Sequence, residues 1–133
     1  MKKTIKFTSE FHNLSKAEEI LAQIAEKTEL SEEIYGNILL SLSEAINNAI
    51  IHGNKMAEEK YVTVTYEIDK NCIEITVSDQ GEGFDPSNIP DPTLPENLEK
   101  ETGRGLFIIK TLSDKLEFLN NGTTLKMRFN LNK

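Results

Sequence analysis

A glutamate and an asparagine lie one helical turn apart in the segment LSEAINNAIIHGNK, residues 42–55, which otherwise has the composition of a buried helix. At about 100° per residue, Glu44 and Asn48 point about 40° apart and share a helix face. A carboxylate and an amide must each be hydrogen-bonded or solvated. The pair is compatible with the solvent face of an amphipathic helix, but Leu40 and Ile51 project close to the Glu44 direction. We therefore expect this face to border a pocket.

A second group of candidate residues follows an alternating apolar segment, in VSDQGEGFDP. Asp79 is at the end of the predicted strand, and Gly81 and Gly83 complete a D-x-G-x-G spacing. A carboxylate here could accept a hydrogen bond from an exocyclic amine, and glycines let the backbone approach a ligand closely. An ordinary turn after a strand has the same composition.

A third group is TGRGLFIIK, in which Gly103 and Gly105 precede a predicted apolar helix. The free N–H groups at a helix N-terminus can bind phosphate oxygens. A flexible joint between a loop and a helix is the alternative interpretation.

The elements that carry these residues are predicted from periodicity and end signals. The sequence SKAE at Ser15 has the form of a capping box and predicts a helix that continues to about Leu30. Ser31 is the predicted N-cap of a second helix, which runs to about His52 and ends at Gly53. Its buried stripe consists of Ile38, Leu42, Ile46 and Ala49.

Alternating segments predict the strands. TIKFT is a first strand, with Ile5 and Phe7 on one face. YVTVTYEI and CIEITVSD are separated by DKN and predict an antiparallel pair, while KLEFL and TLKMRFNL predict a hairpin around NNG. Between them, the segment from Gly81 to Gly105 holds all four prolines and lacks periodicity, which is typical of a binding loop or lid.

Composition limits the classes of function. A chain of 133 residues with a net charge of −7 predicts a single domain, residues 1–133, that does not bind nucleic acid directly. Cys72 is the single cysteine, and His12 and His52 lack zinc-ligand spacing. No apolar run is long enough for a bilayer, so we expect a soluble cytoplasmic protein without membrane contact.

The three motifs in this order resemble the GHKL ATPase superfamily of gyrase, heat-shock chaperones, histidine kinases and mismatch-repair proteins. SEAINNAIIHG, DQGEGFDP and GRGLFIIKTLSD are most similar to the motifs of stand-alone bacterial anti-sigma-factor serine kinases. The resemblance covers almost the whole chain. It implies an α+β Bergerat fold: a two-layer α/β sandwich with a mixed, mostly antiparallel sheet and helices on one face.

The resemblance also implies roles for individual residues in binding ATP and Mg²⁺. Glu44 corresponds to the catalytic carboxylate. Asn48 corresponds to the magnesium ligand and is chosen over the adjacent Asn47 because it has the i, i+4 spacing from Glu44. Asp79 corresponds to the adenine-binding aspartate. The remaining nucleotide-binding candidates are Gly81, Gly83, Gly103, Arg104, Gly105 and Thr124.

Two of these nucleotide-binding assignments keep alternatives. Arg104 contacts a phosphate or is an exposed lid residue, and Thr123 is an alternative to Thr124. The lid spans about residues 84–102.

The implied function is that of an ATP-dependent anti-sigma factor and serine-protein kinase, a protein serine/threonine kinase. Its partners would be a sigma factor and a small anti-anti-sigma (STAS-type) protein, whose serine it phosphorylates. Relatives in this branch commonly pair, so a homodimer is an open expectation. The alternatives are a nucleotide-gated binding module with little phosphotransfer, and a simple ATP hydrolase.

Overall fold

The computed structural model describes residues 1–82 and 101–131. Gly83 and residues 84–100 of the predicted lid lie outside these ranges. The strands are β1 (Lys2–Thr8), β2 (Tyr61–Ile68), β3 (Cys72–Ser78), β4 (Lys115–Leu119) and β5 (Thr124–Asn130). The helices are α1 (Lys16–Lys27), α2 (Glu32–Asn47) and α3 (Glu101–Leu112), with a 3-10 turn at Phe11–Ser15 and a π-helix at Asn48–Gly53.

The described strands form one five-stranded sheet in the order β1-β2-β3-β5-β4, and every neighbouring pair is antiparallel. Both predicted hairpins are present, with Ile68 opposite Ile73 in the first and Leu119 opposite Thr124 in the second. The α+β class with a mostly antiparallel sheet is therefore confirmed.

Successive side chains of a strand point to opposite faces of the sheet. The residues that point inward lie on one face, and this face packs on the helices. The core joins strand residues Val64, Ile75 and Met127 to helix residues Ile24 and Ile46, all at 0% exposure. The predicted stripe of α2 is part of this core. The arrangement is two-layered, and α2 contacts α1, α3 and the sheet.

Of the caps predicted at Ser15 and Ser31, only the one at Ser31 is confirmed. Ser31 caps α2 as expected, with its hydroxyl oxygen accepting from the N–H of Ile34 at 3.1 Å. The capping box predicted at Ser15 is wrong. The Ser15 hydroxyl points the other way and donates to the carbonyl oxygen of His12 at 3.0 Å, because a 3-10 turn leads directly into α1.

The predicted second helix does extend to Gly53, but its final six residues form a π-helix. The N–H of Asn54 donates to the carbonyl of Ala49 at 2.8 Å, a wider turn than the α-helical one. Such π turns are frequent at functional sites because they shift the following residues around the helix axis. Here the shift determines where Gly53 lies.

The third helix begins earlier than predicted. It starts at Glu101, so Gly103, Arg104 and Gly105 lie inside α3 and not before it. Each glycine in a helix interior costs about 1 kcal/mol relative to alanine, which is why the sequence suggested a later start. Packing of α3 against α2 outweighs that local preference. None of the helices in the described ranges is long and apolar enough to cross a membrane.

Candidate functional site

A cavity of about 120 Å³ lies between the end of α2, the π-helix, β3, α3 and the turn before β5. Its apolar wall is formed by Ala45, Ala49, Val77, Leu106 and Leu125. Small alanine side chains on the helix side leave a slot opposite the larger strand residues. A flat apolar ring fits such walls better than a polar or charged group does.

Asp79 is the carboxylate of this cavity. It follows β3 directly, and its own N–H donates to the carbonyl oxygen of Thr123 at 2.9 Å. One carboxylate oxygen accepts the N–H of Gly81 at 2.8 Å. Burial raises the pKa of Asp79, while the Gly81 N–H and the charge of Lys60 oppose this rise. Asp79 is thus a partly desolvated acceptor with room for a further donor in the cavity.

Two glycines bring the end of the helix against the turn after β3. A Cβ on Gly53 would collide with the carboxyl group of Asp79, and a Cβ on Gly81 would collide with the carbonyl of Gly53. Gly81 therefore requires glycine for the close approach of two backbone segments, whereas a side chain at Gly53 would have to displace the Asp79 carboxyl group. Gly53 lines the cavity, whereas Gly81 supports Asp79 from behind.

Glu44 and Asn48 share one face, as the periodicity predicted, and that face is covered by α3. A Cβ on Gly105 would lie 2.7 Å from Oε2 of Glu44 and 3.4 Å from Nδ2 of Asn48. Both side chains are half-buried. The interpretation as an ordinary solvent face is therefore incorrect, since the pair meets the backbone of a second helix beside the cavity.

The Asn48 amide has the properties of a ligand group. It lines the cavity, and its buried Nδ2 has no hydrogen-bond partner among the described residues. Rotation of the amide exchanges nitrogen and oxygen, so an oxygen can face the cavity. An Mg²⁺ ion with phosphate ligands needs one or two protein oxygens, and Asn48 with the neighbouring Glu44 fits that requirement. No cluster of three His, Cys, Asp or Glu side chains suited to a metal occurs within the described ranges.

The remaining predicted site residues lie at different distances from the cavity. Arg104 is exposed on α3, and Gly105 is buried against α2. Of the two candidate threonines, Thr123 lines the cavity. Thr124 is 6% exposed and bonds to the Ser78 hydroxyl at 3.0 Å, so it joins β5 to β3.

Sequence reasoning missed two residues at this site. His52 lines the cavity from the π-helix, and Asn54, directly after it, is 1% exposed. An asparagine after Gly53 looks like an ordinary helix end, so its burial had no local signal. The histidine had a weak signal, because it lies one turn beyond Asn48 on the same helix.

Comparisons with known proteins show the family of this chain. The family model of the histidine kinase-like ATPase domain matches residues 7–129. The serine-protein kinase RsbW of Listeria innocua is 30% identical over 120 residues, which cover 85% of this chain and 76% of the relative. The anti-sigma F factor of Clostridium perfringens is 34% identical over 119 residues, which cover 85% of this chain and 84% of the relative.

A solved structure shows the same fold. The crystal structure of the RsbU and RsbW domains of a Mycobacterium tuberculosis protein aligns with a TM-score of 0.65 at 12% identity. The alignment covers 98% of this chain but 32% of the solved one, so this chain spans about a third of that length. The family model, the curated relatives and the fold confirm the resemblance drawn from the three motifs: the chain belongs to the histidine kinase-like ATPase domain family.

Proposed function

We propose that this chain is an ATP-dependent serine-protein kinase that also binds a sigma factor. The printed names of its relatives, serine-protein kinase and anti-sigma F factor, support both parts. The observation that carries the proposal is one carboxylate in the wall of the cavity and a second carboxylate beside an amide that lines it. Asp79 lies at the cavity wall, and Glu44 lies beside Asn48 on the adjoining helix face.

In this proposal, adenine occupies the apolar slot and its exocyclic amine donates to Asp79. The amine is a donor that matches an acceptor-only carboxylate, and the ring buries apolar surface against Val77 and Leu125. The phosphates then extend toward Asn48 and Glu44. Asn48 would supply a protein oxygen ligand to an Mg²⁺ ion, which would neutralise phosphate charge when bound.

Glu44 is the proposed general base. The partner's serine oxygen attacks the γ-phosphorus, the bond from that phosphorus to the bridging oxygen breaks, and ADP leaves with the electron pair. The serine proton passes to a carboxylate oxygen of Glu44.

The proposed partners follow from the names of the relatives and the family resemblance. They are a sigma factor, held by the kinase, and a small STAS-type anti-anti-sigma protein that carries the acceptor serine. Such partners are cytoplasmic, and we propose the same location for this chain. A homodimer is the proposed oligomeric state.

The test is phosphotransfer from ATP labelled on the γ-phosphate to STAS-type proteins encoded in the same genome. Glu44→Gln should lower the rate by about 10²–10⁴, because the amide cannot accept the serine proton. ADP affinity, measured by calorimetry, should change little. The matched control is Glu33→Gln, an exposed glutamate in the first turn of the same helix, which should leave the rate unchanged.

Other outcomes would support other functions. Label released only as free phosphate would indicate an ATP hydrolase. Tight ATP-dependent binding of a partner without label on its serine would indicate a nucleotide-gated binding module. Phosphorylation by Glu44→Gln at the wild-type rate would remove this carboxylate from the mechanism.

A further inference from the structure

A buried asparagine joins three separate segments next to the site. The Nδ2 group of Asn54 donates to the Ser9 hydroxyl at 2.7 Å and to the Tyr61 carbonyl at 3.0 Å. Its Oδ1 accepts the N–H of Gln80 at 2.7 Å. The side chain thus uses both donor hydrogens and its acceptor, with 1% exposure.

These bonds hold the turn that carries Asp79. Gln80 follows Asp79 directly, and the side-chain oxygen of Gln80 accepts the Tyr61 N–H at 2.6 Å. The Asn54 bond links this turn to the end of the π-helix, where Gly53 lies against the Asp79 carboxyl group. Asn54 therefore sets the distance between the end of the π-helix and the turn after β3, and the direction of the Asp79 carboxylate depends on that distance.

The backbone around Asn54 is itself fixed. Lys55 and Met56 have φ values of 52° and 58°, a left-handed conformation that residues other than glycine rarely adopt. It persists only where the surrounding structure determines it. The Met56 N–H donates to the Ile50 carbonyl at 2.8 Å and closes the helix end. Asn54 is thus held on a rigid support.

We propose that Asn54 is a positioning residue that aims Asp79 and so determines the preference of the cavity for adenine over bases that lack its amine. The inference rests on the proposed ATP site. A hydrogen bond to a carboxylate weakens steeply with poor direction. Without Asn54, the Gln80 N–H loses its partner, the turn relaxes toward water, and Asp79 loses its alignment with the base.

The test compares ADP with purine riboside diphosphate, which carries a hydrogen atom in place of the exocyclic amine. In Asn54→Ala, ADP affinity measured by calorimetry should fall about tenfold, the worth of one misaligned charged hydrogen bond. Purine riboside diphosphate, which has no amine to donate to Asp79, should lose much less. The ratio of the two affinities should therefore fall.

A second buried asparagine provides the matched control. Asn13 is 5% exposed, and its Nδ2 donates to the carbonyl and the hydroxyl of Thr8 at 2.9 and 3.0 Å. Asn13→Ala removes a similar number of bonds away from the cavity, so it should leave the affinity ratio unchanged. If Asn54→Ala fails to fold, Gln80→Ala at an exposed position decides, with an expected fall of about threefold in the ratio.

Hydrogen exchange gives a readout without nucleotide. The Gln80 amide should exchange faster in Asn54→Ala than in wild type, and not in Asn13→Ala. An unchanged affinity ratio in folded Asn54→Ala would overturn the inference, as would an unchanged ratio in Gln80→Ala where Asn54→Ala does not fold. In either case, ADP binding by wild type still supports the proposed function. Wild-type protein that binds no ADP would overturn the proposed function and the adenine role together.

Discussion

Two features of its surroundings act in opposite directions on the ionised form of Asp79. Burial raises its pKa, while a hydrogen bond from Gly81 acts in the opposite direction. A partly desolvated carboxylate costs folding free energy and is also a stronger acceptor for a ligand amine. Replacing Asp79 with a neutral residue should therefore weaken nucleotide binding without lowering the stability of the fold.

We expect Asp79→Asn to lose about 1.5–3 kcal/mol of ADP binding free energy, measured by calorimetry, because the amide presents donors where an acceptor is needed. Its free energy of unfolding at neutral pH should equal or exceed that of wild type. The asparagine oxygen can still accept the Gly81 N–H, and the buried charge is gone. Unchanged ADP affinity would remove Asp79 from the site.

The pH dependence of stability separates this effect from general packing. Since the folded pKa of Asp79 is raised, the folded protein binds the proton more tightly than the unfolded chain. Wild type should lose stability relative to Asp79→Asn as the pH rises from about 4 through the raised folded value, and no further above it. Urea titrations at a series of pH values measure this. A wild type that gains on the mutant over that range would contradict the burial effect.

At the scale of elements, the contact between α2 and α3 decides where Glu44 can lie. Gly105 is buried in α3, and its missing Cβ leaves the space that the Glu44 carboxylate occupies. The carboxylate is the far end of a flexible side chain, so it can move aside more easily than a backbone can. A change at this contact should therefore affect the rate of catalysis more than the stability of the fold.

We expect Gly105→Ala to leave the free energy of unfolding within about 1 kcal/mol of wild type, since alanine favours the helix by about that amount. The added Cβ would be 2.7 Å from the Glu44 carboxylate and must displace it. A displacement of about 1 Å in a catalytic group can lower phosphotransfer by about 10²-fold. Labelled ATP and urea titration measure the two effects.

Gly36→Ala is the control for this substitution. Gly36 is exposed on α2, and among the described residues nothing lies within 4 Å of the position of an added Cβ. It should stabilise the protein by about 0.5–1 kcal/mol and leave phosphotransfer unchanged. Equal activity of the two variants would show that the α3 contact does not position Glu44.

At the scale of the whole molecule, one core joins the sheet and the helices within residues 1–82 and 101–131, so both should unfold together. Ile75 in the middle of β3 is 0% exposed. Ile75→Ala should cost about 2–5 kcal/mol, because it leaves a cavity between the layers. Urea unfolding followed by far-UV and near-UV circular dichroism should give coincident transitions. Separate transitions would contradict a single core.

The neighbouring residue on the opposite face of the same strand is the control. Thr76 is half-buried and pairs with Thr65 and Lys126 across the sheet. Thr76→Ala should change the free energy of unfolding by about 1 kcal/mol or less, which is the range of strand preferences. The difference between the two variants measures how strongly the core lies on one face.

Local regularities of the sequence determined the secondary structure of this protein and the placement of several candidate site residues. The order of helices and strands, both hairpins and the shared face of Glu44 and Asn48 followed from periods of 2 and 3.6 residues and from turn residues. Such features depend on neighbours within about four positions, which the sequence displays directly. The position of Asp79 at a strand end followed for the same reason.

Only the tertiary structure decided which distant segments touch. The approach of Gly53 to Asp79, the burial of Asn54 and the start of α3 before Gly105 all depend on contacts between residues far apart in the chain. The selection of Thr123 over its neighbour as a cavity residue is of the same kind. Local preferences of about 1 kcal/mol, such as that against glycine in a helix, are outweighed when packing buries a whole face.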